Sequence, residues 1–335
     1  MIAPVRFGLV GAGAIAQSYV KVFESSNLTA LTAVVDVRAD AARALAEIGG
    51  GAVLADPRSL AESGICDAVV VCTPPHTHEA ICIELIEHDI PVLCEKPLSL
   101  NPESVGRMIE VAVRRNVALT MASKFRYVED VIRAKSILES GILGEIILFE
   151  NAFTSRVDMA GRWNADPALS GGGVLIDNGT HSVDIARYFL GGVVEVQAVE
   201  GKRVQALAVE DTVRLFLRTE SGVMGTIDLS WTLNKELSSF IDLYGSRGVV
   251  RVGWNESVYR QTGNRDWIRF GEGYDKHDAM QRMVENFCKY LLGEERLLTS
   301  LEDILSSAAV IETAYTSMRS DRWVQVPVLH PARIP

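Results

Sequence analysis

The sequence predicts an α/β domain built on a doubly wound parallel sheet, followed by an α+β domain with a large, mostly antiparallel open sheet. Three observations predict it. Up to residue 123, short apolar runs of strand length alternate with helical stretches, the pattern of a parallel sheet covered on both faces. Beyond a linking helix near 128–139, the runs lengthen and alternate with a period of two, as strands with one buried face do. The length of 335 residues suits two domains at roughly 150 residues each. The expected domains are 1–123 and 124–335, with the C-terminal helix able to pack back on the first.

The first strand is VRFGLV, residues 5–10. Gly11-Ala12-Gly13-Ala14-Ile15-Ala16 follows, a G-x-G-x-x-A turn that opens a helix over 14–25. In the Rossmann arrangement the first glycine permits the tight turn, the second admits a pyrophosphate to the backbone, and Ala16 keeps helix and strand close. The helix N-terminus offers its amides to the phosphates. A second strand, 29–37, passes through Asp36, placed where a carboxylate accepts from both ribose hydroxyls. Val37 and Arg38 flank that acid. The cofactor expected is NAD; Arg38 keeps NADP possible, because a guanidinium can hold a 2'-phosphate.

Further strands are expected at 52–55, 66–73, 91–96 and 117–123, with helices at 78–87 and 102–115 between them. Asn101 serves as N-cap of the latter helix and Pro102 takes its first position. Two motifs fall at the carboxyl ends of strands, where such sheets bind ligands. One is Cys72-Thr73-Pro74-Pro75-His76-Thr77-His78, of which Cys72, Thr73, Pro74, Pro75 and His78 are expected to line the cofactor. The other is Glu95-Lys96-Pro97, with Glu95 and Lys96 at the cofactor edge. An ammonium there can hydrogen-bond a substrate oxygen and stabilise its developing charge.

In the second half, residues 145–154, 193–201, 211–219, 222–231 and 238–246 read as long strands. Helices are expected at 279–292 and 301–318, the second opened by a Ser300-x-x-Asp303 capping box. Between the strands lies GGGVLIDNGTHSVDIARYFLG, residues 171–191. On a helix, Asp177, His181 and Asp184 share one face. A neutral imidazole with a carboxylate one turn away suits a general base and its orienting partner. The three glycines are expected to let a ligand approach the helix start. Trp231 and Lys235 follow a strand and face either the pocket or the sheet end.

Composition excludes other classes. A formal net charge of −10 argues against a nucleic-acid-coating surface. No apolar run approaches the roughly 20 residues of a membrane span. The N-terminus lacks the layout of a signal peptide. His76 and His78 have no carboxylate or cysteine cluster beside them, so no metal is expected. The five cysteines lack metal-ligand spacing and read as buried, reduced thiols of a cytoplasmic protein.

The GAGAIA turn, TPPHTHEA, CEKPL, SKFRY and RWNADPALSGGGVLIDNGTHSVDIARYFLG together resemble the glucose-fructose oxidoreductase, inositol dehydrogenase and MocA (Gfo/Idh/MocA) family. The resemblance covers nearly the whole chain. It implies a Rossmann domain paired with an antiparallel-sheet domain, and hydride transfer between a nicotinamide and a hydroxyl carbon of a sugar or cyclitol. It implies that Lys96, Asp177 and His181 form the catalytic group. It also brings Arg126, Arg156, Arg162 and Trp163 to the substrate pocket, where guanidinium forks suit an anionic group. A homodimer or homotetramer through the second sheet is the expected assembly. Asn178 departs from the family, in which the residue after the aspartate is often apolar; the departure bears on pocket polarity. Three alternatives stay open: action on a nucleotide-linked sugar, an NAD-retaining glycosidase, and a non-catalytic NAD-binding regulator.

Overall fold

The computed structural model describes residues 3–330. The described chain divides into two compact units, one comprising 3–124, 276–305 and 330, the other 125–275 and 306–329.

The first unit runs β1 (Val5–Val10), α1 (Ala14–Ser25), β2 (Thr29–Val35), α2 (Ala39–Gly49), β3 (Ala52–Leu54), α3 (Pro57–Ser63), β4 (Ala68–Val71), α4 (His78–Glu87), β5 (Val92–Cys94), α5 (Pro102–Arg115) and β6 (Leu119–Met121). The six strands are parallel in the order β3-β2-β1-β4-β5-β6. The order turns back beside β1, so the end of β1 sits at the switch point where doubly wound sheets take their ligands. Every residue of β4 is buried, as a central parallel strand requires. Phe7 of β1 stacks on Phe23 of α1 with centroids 5.0 Å apart, closing helix onto sheet. The Asn101 cap forms as its sequence suggests, accepting the Ser104 amide at 2.9 Å. The strand expected over 29–37 stops at Val35, because Asp36 turns its carboxylate back to local amides instead of continuing the ladder.

The second unit begins with α6 (Glu129–Glu139) and β7 (Ile146–Thr154), then α7 (Pro167–Ser170) and α8 (Val174–Leu190). β8 (Val193–Glu200), β9 (Thr212–Thr219), β10 (Met224–Ser230) and β11 (Ser239–Gly245) match the long periodic segments. The sheet then runs on through β12 (Gly248–Gly253), β13 (Ser257–Gln261) and β14 (Ile268–Gly271). α9 (Lys276–Leu291) and the start of α10 (Leu301–Ser320) return to the first unit, and β15 (Val324–Gln325) closes the second. The nine strands order as β14-β13-β12-β11-β7-β10-β9-β8-β15 and are antiparallel apart from the β7–β10 pair. In β9, Val213, Leu215 and Leu217 are buried while Arg214 and Arg218 face outward. α8 lies against β7, β9 and β10 on the buried face, so this sheet is the platform for its side chains.

Candidate active site

In the first unit, the glycine turn is shaped by its neighbours. Gly11 has φ +99°, and a Cβ there would lie 2.8 Å from the Cys72 carbonyl carbon. The positive φ and the close Cys72–Thr73 backbone therefore demand the glycine. Gly13 is different: a Cβ there meets nothing within 4 Å. The chain itself leaves room for a side chain, so the glycine's value is the space it keeps open over the start of α1. That helix start has no side-chain cap. Asp36 accepts the Ala12 amide at 2.6 Å and the Arg38 amide at 2.8 Å, which pins its carboxylate beside the turn. The Arg38 guanidinium lies 3.6 Å from the same carboxylate and is 64% exposed. Ala14 and Val37 are exposed, and Ile15 is half-buried. Open space at Gly13, uncapped amides and a fixed carboxylate fit a dinucleotide, whose phosphates Gly11–Ile15 would hold and whose ribose Asp36 would hold.

The second motif needs a correction. His78 has no exposed surface. Its ring nitrogens lie 2.8 Å from the Thr73 carbonyl oxygen and 3.0 Å from that of Pro97. Burial pushes its pKa down, and those two carbonyls oppose the shift. A ring so enclosed cannot line a ligand; it ties the Thr73–Pro75 turn to the segment after Lys96. Cys72 and Pro75 also have buried side chains and support the turn from beneath, while Thr73 and Pro74 are half-exposed. Glu95 accepts a 2.8 Å hydrogen bond from Tyr19 of α1, a fully buried phenol whose pKa is raised mainly by that burial. The Lys96 amide donates to the other Glu95 oxygen at 3.2 Å. Lys96 is itself half-buried.

In the second unit, α8 carries Asp177 in its first turn and His181 one turn later. Asp177 and Asn178 are half-exposed, and His181 is 7% exposed. Asp184 meets a guanidinium. It forms a buried pair with Arg126, Nε to Oδ2 at 2.9 Å and a second nitrogen to Oδ1 at 2.8 Å. Arg126 also lies 5.3 Å over the Tyr188 ring. Both side chains of the pair are 3% exposed. Arg126 is thus a strut between the turn at 124–127 and α8, which corrects its reading as a substrate ligand. Arg156, Arg162 and Trp163 remain exposed. Trp231 is buried, and Lys235 donates to Asp228, 2.5 Å away on the outward sheet face beside Arg214.

The glycines before α8 also have a role other than the expected one. Gly171 adopts φ +79°. A Cβ on Gly172 would collide with the Tyr315 hydroxyl, and one on Gly173 with the Glu210 carbonyl oxygen. The chain's own packing, rather than a ligand's approach, requires them. Glu210 is the residue that sequence reasoning missed. Its 5%-exposed carboxylate accepts the Gly173 and Leu175 amides at 2.9 and 3.1 Å and the Tyr315 hydroxyl at 2.7 Å. It caps α8 from a distance, because Gly173 has no side chain with which to do so. An acid beside the predicted strand at 211–219 carries no local sign of this role. Among the described residues, no three His, Cys, Asp or Glu side chains gather as a metal-holding group.

Comparison with known proteins gives the family. Residues 5–123 match the model described as an oxidoreductase family with an NAD-binding Rossmann fold, and residues 131–251 match the GFO/IDH/MocA C-terminal domain. The chain belongs to the Gfo/Idh/MocA oxidoreductase family. Among its relatives is myo-inositol 2-dehydrogenase of Thermotoga maritima, 31% identical over 73% of this chain and 74% of that protein. D-glucoside 3-dehydrogenase of Escherichia coli is 30% identical over 68% of this chain and 67% of its own. A levoglucosan dehydrogenase structure in complex with NADH superposes with a TM-score of 0.91 at 20% identity, covering 97% of this chain and all of that one, a likeness of fold. As a Gfo/Idh/MocA member, the chain is an oxidoreductase with an NAD-binding Rossmann domain, the cofactor to which the Gly11–Asp36 geometry is suited.

Proposed function

We propose that this protein is an NAD-dependent dehydrogenase or reductase acting on a hydroxyl or keto carbon of a sugar, cyclitol or sugar derivative. The observation that carries the reading is α8: an anchored helix on a sheet platform, presenting Asp177 and His181 one turn apart. Oxidation of a secondary alcohol releases a proton from its oxygen. His181 takes that proton, Asp177 holds the ring and stabilises the imidazolium, and Lys96 polarises the oxygen. The nicotinamide, when bound, supplies the hydride acceptor. Residues 1–123 serve the nucleotide and 124–335 the substrate and assembly.

The relatives named as inositol and glucoside dehydrogenases support the substrate class. Arg156 and Arg162 are retained as exposed cations for an anionic substituent. The outward sheet face, with half-exposed or exposed Leu148, Phe216, Met224 and Trp323 together, supports a homodimer or homotetramer built on it. The five buried free cysteines suit the cytoplasm, and no described helix is long and apolar enough to cross a membrane. The test is NADH formation with a panel of cyclitols, sugars and glycosides. Turnover stoichiometric in NAD supports the dehydrogenase; hydrolysis without net NADH points to the glycosidase, and neither reaction to the regulator.

A further inference from the structure

Five aromatic side chains of the second unit form one continuous cluster that starts at His181. Phe125 meets the imidazole edge-on, centroids 5.0 Å apart at 74°. Phe125 stacks on Tyr274 at 5.1 Å and leans on Phe153 at 4.6 Å. Phe240 packs on Trp254 at 4.6 Å, and Trp254 stands edge-on to Tyr274 at 5.8 Å. Burial is uneven across the cluster. Phe125 and Phe240 are buried, Tyr274 is half-buried, and Trp254 is 36% exposed.

Core packing accounts for the inner rings and not for the outer edge. Trp254 stands in the turn between β12 and β13, with Asn255 and Glu256 exposed beside it. The turn is held firmly. Tyr274 donates its amide to the Trp254 carbonyl at 3.1 Å, and Gly253 donates to the Ser257 hydroxyl at 3.2 Å. Two rigid aromatic surfaces, open at one end and joined through packed rings to an acid-base side chain, make a preorganised platform for a flat apolar group. The rim does not favour an anion: its cation Arg269 is shared by Glu256 and Glu272.

We propose that Tyr274 and Trp254 form a subsite for a planar, uncharged, apolar substituent of the substrate, such as the aryl aglycone of a glycoside. The inference rests on His181 being the base. A hydroxyl within about 3 Å of the imidazole sets its own ring near the Phe125–Tyr274 stack. Trp254 is a further ring contact outward, where a single sugar ring ends and an aglycone begins.

The test compares phenyl and methyl D-glucosides, D-galactosides and D-xylosides, by calorimetric binding to the NADH-loaded full chain and by NADH formation. The phenyl member of at least one pair should bind about tenfold tighter, the combined effect of ring stacking and apolar burial. Trp254→Ala should bring that ratio near one by loss on the phenyl side, and Trp254→Phe should keep most of it. Should Trp254→Ala fail to fold, the wild-type ratio and Trp254→Phe decide. Trp254-dependent phenyl binding without turnover upholds the subsite and sinks the dehydrogenase reading. Equal binding within every pair, no binding of any glycoside, or a Trp254→Ala variant that loses its assembly and both ligands alike overturns the subsite.

Discussion

At the scale of single residues, His181 and Lys96 carry the reaction on the proposed reading. His181→Ala should lower kcat by about a hundredfold or more, the usual worth of a positioned acid-base group, and Lys96→Ala should do likewise. NAD affinity should change little in either. If both act on one step, the double variant should lose little more than the worse single variant. Alcohol oxidation needs a neutral imidazole, so its rate should fall on the acid side, and His181→Ala should lose that limb. Near-normal turnover with the limb intact would assign the proton to another residue. Asp36 makes a second prediction. Two amides hold its carboxylate beside the turn, where it repels a 2'-phosphate. NAD should therefore exceed NADP in kcat/KM; a tenfold advantage for NADP would show that Arg38 governs the choice. The GxGxxA turn and Asp36 were legible in sequence because each role is set by neighbours a few residues away. His78 was not, since nothing local distinguishes a ring that lines a turn from one that braces it from within.

At the scale of elements, α8 depends on two distant anchors. Glu210 satisfies its first amides, and Glu210→Ala leaves buried donors without that carboxylate. The loss should cost about 1–3 kcal/mol, measured as a lower urea midpoint at unchanged slope. Tyr315→Phe removes one neutral donor and should cost less. Gly173→Ala should be worse than either helix propensity or exposure suggests, because its Cβ would enter the Glu210 backbone. The Arg126–Asp184 pair gives a sharper contrast. Arg126→Met removes the guanidinium that pairs with a buried carboxylate and should cost about 3–5 kcal/mol. Changing Asp184 to Asn as well should recover a large part of it. Additive losses in the two variants would show that the side chains do not act as a pair. The helix itself was evident from its periodicity, but its anchors lie 37 and 58 residues away and no periodicity reports them.

At the scale of the whole molecule, the nine-stranded sheet offers one broad face outward. Arg214 pairs with Asp228, and Arg218 with Glu195, around the apolar strip at Leu148, Phe216 and Met224. Such a surface usually finds a partner. Light scattering at micromolar concentration should give a multiple of the 36.6 kDa chain mass. Arg placed at Leu148 and Met224 should shift it toward the single-chain mass; a single-chain mass for the unaltered protein refutes the assembly.

The sequence alone determined the two sheet types, the nucleotide turn and the row on α8, because each is written in the spacing of residues close along the chain. Val213, Leu215 and Leu217 had to lie on one side of a strand, and Asp177 and His181 on one side of a helix. The tertiary structure alone decided which neighbours those residues meet. Asp184 answers Arg126, and the glycines answer Tyr315 and Glu210. The physical reason is the same in each case: propensity and period act over a turn or two, whereas a buried charge, a cap or a collision depends on what long-range folding brings within a few ångströms.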